Sequence, residues 1–478
     1  MLFNSIEFLI FLPIVFILYW FVFRERKWQN LLVVVASYVF YGWWDWRFLL
    51  LIAFTSFCSY ASGLLLERFE GKRRRQQLVS AVNIIVNLGI LGVFKYYNFF
   101  VDNLDALFGM MGCHLDVVTM NVILPVGISF YTFQALSYTI DVYHKKLKAT
   151  HDMVEFFAYI SFFPQLVAGP IERATNLLPQ FQRSRHFDYA EAVNGCRQIL
   201  WGFFKKLVVA DNCAGFVNKF WGIYPDLSGL SLFLLGVAFS FQIYGDFSGY
   251  SDIAIGTARL FGIKLMRNFN YPYFSRTIPE FWRRWHISLM TWFRDYIYFP
   301  LGGSRCSRWK IIRNTLIVFF ISGLWHGANW TFICWGVYHA CLISLFVLLS
   351  INTKSKGVVA QGRLFPSLKD FGLMVITYVL VVIGWIIFRA ESMPQAYNFL
   401  TRMFSTMFDS CEMIHGSYVL IYGVIMIILE WIQRDKQHVL VIDSIKSKYL
   451  RWGIYLIVAL VIYDLKPDAI STFIYFQF

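Results

Sequence analysis

The sequence predicts an all-α polytopic membrane protein, and three observations carry that prediction. Of 478 residues, 58% are hydrophobic and only 15% charged, whereas a soluble domain carries about 25% charged residues. Apolar stretches long enough for a bilayer core of about 30 Å recur along the whole chain. Within a bilayer, backbone amides and carbonyls must find partners inside the protein, and stretches of this length satisfy that demand as helices.

The clear segments are 7–23, 48–66, 78–94, 230–243, 316–349, 373–388, 418–432 and 452–462. With the Gly- and Pro-broken pieces between them, roughly 10 to 13 transmembrane or re-entrant segments are expected. No Lys or Arg precedes the first segment, and "RERK" (24–27) follows it, so it reads as a retained helix rather than a cleaved signal. "GKRRR" (71–75) and "HKKLK" (144–148) follow the third and fifth segments, while the loop expected at 98–120 carries Asp102, Asp105 and Asp116 without a Lys or Arg. This alternation places the amino terminus outside the cytoplasm. It also accounts for the net charge of +14 without a nucleic-acid partner; the expected partner is the lipid bilayer. The eight cysteines form no CxxC pair, so neither a disulfide framework nor a metal site is expected.

By texture the chain is one integral-membrane domain, 1–478, in three parts. Residues 1–118 are ordinary spans with basic loops, and 395–478 are spans with a basic connector. The middle, 119–394, is interrupted again and again by Gly, Pro, Asp, Arg and His. A charged side chain at a bilayer centre costs roughly 2.5 to 3.5 kcal/mol, and irregular backbone is tolerated there only inside protein or along a cavity. These pieces therefore predict a common wet chamber.

Within "YGDFSGYSD" (244–252), Asp246, Ser248, Tyr250 and Asp252 read as a helix-terminus turn with Gly249 at the bend, or as chamber lining. "FWRRWHISLMTWFRDYIYFP" (281–300) has the composition of an interfacial helix, its arginines Arg283, Arg284 and Arg294 directed to phosphate and its rings at headgroup depth. His286, among those aromatics, could face inward. "SGLWHGANW" (322–330) sets His326 inside a long apolar run, where an unpartnered polar group costs roughly 2 to 7 kcal/mol. His326 therefore needs a partner, a cavity or a job. Gly327, Ala328 and Asn329 after it permit close approach of a backbone or ligand. His339 lies thirteen residues on; on one helix the two would project some 140° apart, which argues against a shared metal.

No G-x-G spacing, P-loop or G-x-S-x-G elbow occurs in the chain. A neutral imidazole near pH 7 suits removal of a proton from a hydroxyl that attacks an activated acyl group. On residue type alone His326 reads as that base or as a hydrogen-bonded structural histidine.

At "FFPQLVAGPIER" (162–173), "WGFFKKLVVAD" (201–211), "QIYGDFSGYSDIAIGTARLFG" (242–262), "NFNYPYFSRTIPEFWRRWHISLMTWFRDYIYFPLGG" (268–303), "GLWHGANWTFICWGVYH" (323–339), "GWIIFRAES" (384–392) and "FIYFQF" (473–478) the sequence resembles the membrane-bound O-acyltransferase (MBOAT) family. The likeness is to its bacterial branch of O-acetylases and D-alanylation proteins. "FNSIEFLIFLP" (3–13) and "ASYVFYGWW" (36–44) look like that branch's first spans, so the resemblance covers nearly the whole chain.

What the resemblance implies is a ring of helices around a central funnel or tunnel. Its implied activity is acyl transfer from a thioester, acetyl-CoA, to hydroxyls of an extracytoplasmic polysaccharide or cell-envelope polymer, in a bacterial cytoplasmic membrane and with no bound cofactor. It makes His326 the catalytic histidine and His286 the second candidate. Gln165, Asp246, Ser248, Tyr250, Asp252, Arg283, Arg284, Trp325, Gly327 and Asn329 become candidates to line the chamber or bind substrate. It also implies an extracytoplasmic partner of the SGNH-hydrolase type. The rival donor is an acyl carrier protein, as in D-alanylation. A lipid-linked sugar transporter or flippase is the reading from another class, and it predicts flux that survives His326→Ala.

Overall fold

The computed structural model describes residues 1–112, 119, 124–167, 169–351, 357–409, 415–467 and 473–474. Asp116, Cys113, Cys411, Ala168 of "FFPQLVAGPIER" and the last four residues of "FIYFQF" lie outside the described residues. Among the described residues the structure is helical and holds no strand. The helices are α1 (Ile6–Ile17), α2 (Arg26–Gly42), α3 (Arg47–Arg68), α4 (Arg73–Leu91), α5 (Tyr97–Met110), α6 (Ile128–Tyr143), α7 (Met153–Ser161), α8 (Phe163–Leu166), α9 (Ala174–Phe181), α10 (Tyr189–Phe203) and α11 (Asp211–Trp221). They continue as α12 (Gly229–Leu260), α13 (Ile278–Arg284), α14 (Ile287–Phe293), α15 (Arg308–His326), α16 (Trp330–Leu348), α17 (Leu368–Arg389), α18 (Met393–Ser405), α19 (Val419–Ile432) and α20 (Lys448–Leu465). Five helical stretches are long and apolar enough to cross a membrane: Arg47–Arg68, Arg73–Met110, Gly229–Leu260, Trp330–Leu348 and Leu368–Arg389. Ile6–Val22 and Val419–Ile432 are shorter apolar ones. The chain is a polytopic all-α membrane protein.

It divides into two compact units, one of residues 1–192 and 257–266, the other of 193–256 and 267–478. In the first, α3, α4 and α6 are joined by buried polar side chains: Asn83 donates to Thr139 Oγ1 (2.7 Å), which also meets Ser62 Oγ (3.1 Å). Residues 98–120, expected as a loop, are helical as far as Met110, because α4 runs through a π-helical turn (Gly92–Tyr96) into α5. Asp102 and Asp105 therefore stand on a helix.

The second unit overturns three local expectations. Helix α12 runs without a break through "YGDFSGYSD", so no turn forms there. The reason lies in α10, which passes through a π-helical segment, Phe204–Ala210, into α11. That extra-wide turn directs Lys205 and Lys206 at α12, where Lys205 Nζ meets Asp252 (2.5 Å) and Lys206 Nζ meets both Asp246 (2.8 Å) and Asp211 (2.8 Å). The glycines serve contact rather than bending. A Cβ on Gly249 would sit 2.8 Å from the carbonyl oxygen of Gly202, and one on Gly245 2.8 Å from that of Lys205, so two helices cross at backbone distance.

The stretch 281–300 is no single interfacial helix. It is α13, α14 and a π-helical turn, Arg294–Tyr298. Arg284 is buried, donating to Glu280 Oε1 (2.7 Å) and to the Gly357 carbonyl (3.0 Å), while Glu280 also holds Arg276 (3.0 Å). Arg283 is exposed.

The third correction is the apolar run 316–349, which is two helices, α15 and α16, packed along one another as a hairpin. Gly323 and Gly336 lie at their crossing, where a Cβ on either would meet backbone of the other helix. His326 and His339 thus sit on different helices, and an angle computed along one helix does not apply to them.

Candidate active site

His326 is the last residue of α15. The chain turns there because Gly327 takes extended backbone (φ −170°) and Asn329 caps α16, its Oδ1 accepting from Thr331 N (3.1 Å). Asn329 also donates to the Glu391 carbonyl (2.9 Å), so its side chain is engaged in holding the turn. The imidazole of His326 is 3% exposed. It packs edge-on to Trp325 (5.0 Å), Trp335 (5.0 Å) and Phe388 (5.4 Å). A Cβ on Gly327 would run into the Phe332 ring, and that ring lies 4.7 Å from Phe388. The space beside the histidine is already filled.

His286 occupies the joint between α13 and α14 in the left-handed region (φ +44°), an unusual conformation for a non-glycine residue. It is 1% exposed, edge-on to Phe247 (4.6 Å) and to Trp325 (6.0 Å). Its Nδ1 lies 3.1 Å from Asn268 Oδ1. His286 falls outside the apolar spans, and burial pushes its imidazole down, to about 3. It is therefore neutral at pH 7. The two histidines, 40 positions apart by number, pack against one indole, that of Trp325. A third imidazole, His339, is fully buried against Trp335 (5.4 Å) and Trp282 (5.0 Å). Gly384 makes room for it, since a Cβ there would come within 2.6 Å of Nε2.

Behind Asn268 a cleft is lined by Lys205, Ser248, Ser251, Asp252, Arg267 and Glu430, among others. Of the sequence candidates the structure thus brings together His286, His326 and Trp325 around one indole, and Ser248 and Asp252 along the cleft. Asp246 and Tyr250 are buried near Lys206. Arg284 is tied to Glu280, and Gln165, in the first unit, donates to the Tyr159 carbonyl (3.2 Å). The residues the sequence reading passed over are Asn268, Ser251, Lys205 and Lys206. Each is a polar residue within a quoted apolar motif, and that was the available signal.

The site is thus a set of buried imidazoles packed among aromatic rings in a polytopic helical protein. The chain matches the model of MBOAT, the membrane-bound O-acyltransferase family, over residues 38–383, and it belongs to that family. It is a multi-pass membrane O-acyltransferase. It is 42% identical to the probable alginate O-acetylase AlgI of Pseudomonas aeruginosa over 406 residues, 85% of this chain and 75% of that protein. It is 33% identical to a peptidoglycan O-acetyltransferase of Helicobacter pylori, covering 84% of this chain and 80% of the relative. Similarity extends at 30% identity to a teichoic acid D-alanyltransferase of Bacillus subtilis, over 57% of this chain and 70% of the relative.

Proposed function

We propose that this chain moves an acetyl group from a cytoplasmic thioester, acetyl-CoA, to hydroxyls of an extracytoplasmic polysaccharide of the alginate kind, directly or through an SGNH-hydrolase-like partner. The observation that carries the reading is the pair of buried imidazoles against Trp325, in a chain 42% identical to an alginate O-acetylase. His326 is the base: it takes the proton of the attacking hydroxyl as the oxygen bonds to the thioester carbonyl. The C–S bond then breaks, and the proton leaves with the sulfur as thiol. His286 faces the same indole and is the second functional histidine. The same reading sets the protein in a bacterial cytoplasmic membrane, and the basic clusters after odd-numbered segments support an amino terminus outside.

The test is acetyl transfer by His326→Gln. Glutamine keeps a hydrogen-bonding group but cannot take up a proton near neutral pH. Transfer is expected to fall roughly 10²- to 10⁴-fold at wild-type protein levels. Full activity of His326→Gln would remove the base assignment. Transfer from a loaded carrier protein but not from acetyl-CoA would exchange the donor and leave the base in place. A reporter fused at Arg74 is expected to be active only on the cytoplasmic side.

A further inference from the structure

The second histidine has its own support. Asn268 is fully buried, and its side chain joins three motifs that are separate in sequence: "YGDFSGYSD", "NFNYP" and "RRWHIS". Its Nδ2 donates to Ser251 Oγ (3.0 Å) on α12. Its Oδ1 accepts from the backbone N–H of Ser288 (3.3 Å) and from Ser288 Oγ (2.9 Å), and it lies 3.1 Å from His286 Nδ1. The main chain repeats the link, since Ile287 N donates to the Asn268 carbonyl and Asn270 N to the Arg284 carbonyl, both at 2.9 Å. These bonds bracket His286 in its left-handed conformation, whose cost must be met by its surroundings.

The amide orientation of Asn268 follows from chemistry. The Ser288 backbone N–H is a donor that cannot change role, so the atom facing it is the acceptor, Oδ1. That same oxygen faces His286 Nδ1, and a neutral imidazole carries one N–H and one lone pair. Ser288 Oγ also lies 3.4 Å from Nδ1, but its hydrogen goes to Asn268 Oδ1 at the shorter 2.9 Å; Nδ1 is therefore the protonated nitrogen, and the lone pair is on Nε2. Nε2 is buried and has no hydrogen-bond partner among the described residues.

We infer that Asn268 is a positioning residue of the transfer reaction: it fixes His286 as the Nδ1–H tautomer and so leaves the lone pair, the proton-accepting site, on Nε2. This rests on the proposed reading that His286 takes part in the reaction. The role has a precedent in kind, because a histidine's orienting partner sets which nitrogen works, and its removal costs about 10- to 100-fold.

The experiment uses the full chain in membranes that hold its native acceptor, with CoA release from acetyl-CoA as the rate and ¹⁵N shifts of labelled histidine as the tautomer readout. The wild type is expected to show His286 as Nδ1–H. Asn268→Ala is expected to lose that tautomer and to lower kcat about 10- to 100-fold, with KM for acetyl-CoA unchanged. Asn268→Asp, which restores an acceptor, is expected to keep the tautomer and most of kcat. Its carboxylate favours the charged ring, so the acidic limb of the pH–rate profile moves to higher pH. Should Asn268→Ala not accumulate, that shift alone decides the matter: an unmoved profile overturns the assignment. Asn268→Ala that keeps the Nδ1–H tautomer, or loses it at wild-type kcat, overturns it too. A fully active His286→Ala would instead remove the reading beneath it, while the ¹⁵N shifts still report whether Asn268 sets the ring.

Discussion

Helix α12 and the α15–α16 hairpin are written in the same vocabulary, an apolar run with glycines and a few polar residues set in it, and they fold in opposite ways. In α12 the run stays one helix of 32 residues; in 308–348 it breaks after His326. The difference is where the polar groups find partners. Asp246 and Asp252 are met from the side by Lys206 and Lys205, and the α12 glycines receive a neighbouring backbone, so the helix has no reason to stop. Asn329 finds its partner along its own chain, in the first amide groups of α16, and that is a helix start. An interrupted apolar segment is thus a statement about a partner, and the partner decides between contact and break.

The comparison breaks most strongly at Lys206. Lys206→Met leaves Asp246 and Asp211 buried without their cation, and the loss of one partner from a buried ionic group costs about 3 to 5 kcal/mol. A large drop in detergent melting temperature is expected; an unchanged one would show that α12 needs no lateral cation. Gly327→Leu comes next, since its side chain must displace Phe332 from beside His326. Overpacking of this kind costs about 1 to 3 kcal/mol, and acyl transfer is expected to disappear; normal turnover would mean that the packing beside His326 plays no part. Gly249→Ala pushes a methyl to 2.8 Å from the Gly202 carbonyl and should cost about 1 kcal/mol, whereas alanine at Gly453, where a Cβ would meet nothing within 4 Å, should not destabilise. The smallest effect belongs to Asn329→Ala, about 0.5 to 1 kcal/mol for a lost cap. Asn329→Asp, which can accept from the same amide, should recover it.

The class of fold was legible because a bilayer imposes long apolar helices whatever the details. The motifs put His326 and His286 forward as candidates, and the structure packs both against Trp325. What the sequence could not display is pairing across distance. That Asn268 meets His286 depends on a backbone bracket between 268–270 and 284–287, and that Lys205 and Lys206 both face α12 depends on a π-helical turn. Neither has a periodicity to read. Arg284 misled for a related reason: in sequence it is a cation among rings, as at a headgroup layer, while in space it belongs to Glu280, one turn before it. The break at 327–329 had its signal in the Gly and Asn, which the surrounding apolar run outweighed.

Asp246 has one more partner, the backbone N–H of Ile474 (2.7 Å), and Phe473 lies against Tyr250 at 4.4 Å. The two ends of that hydrogen bond are 228 residues apart. At translation rates of about 5 to 20 residues per second, the carboxylate leaves the ribosome roughly 10 to 50 s before the amide that completes it. Throughout that interval α12 is made but its centre is not closed. A chain that ends before Ile474 has made both histidines and still lacks the amide that completes the Asp246 site.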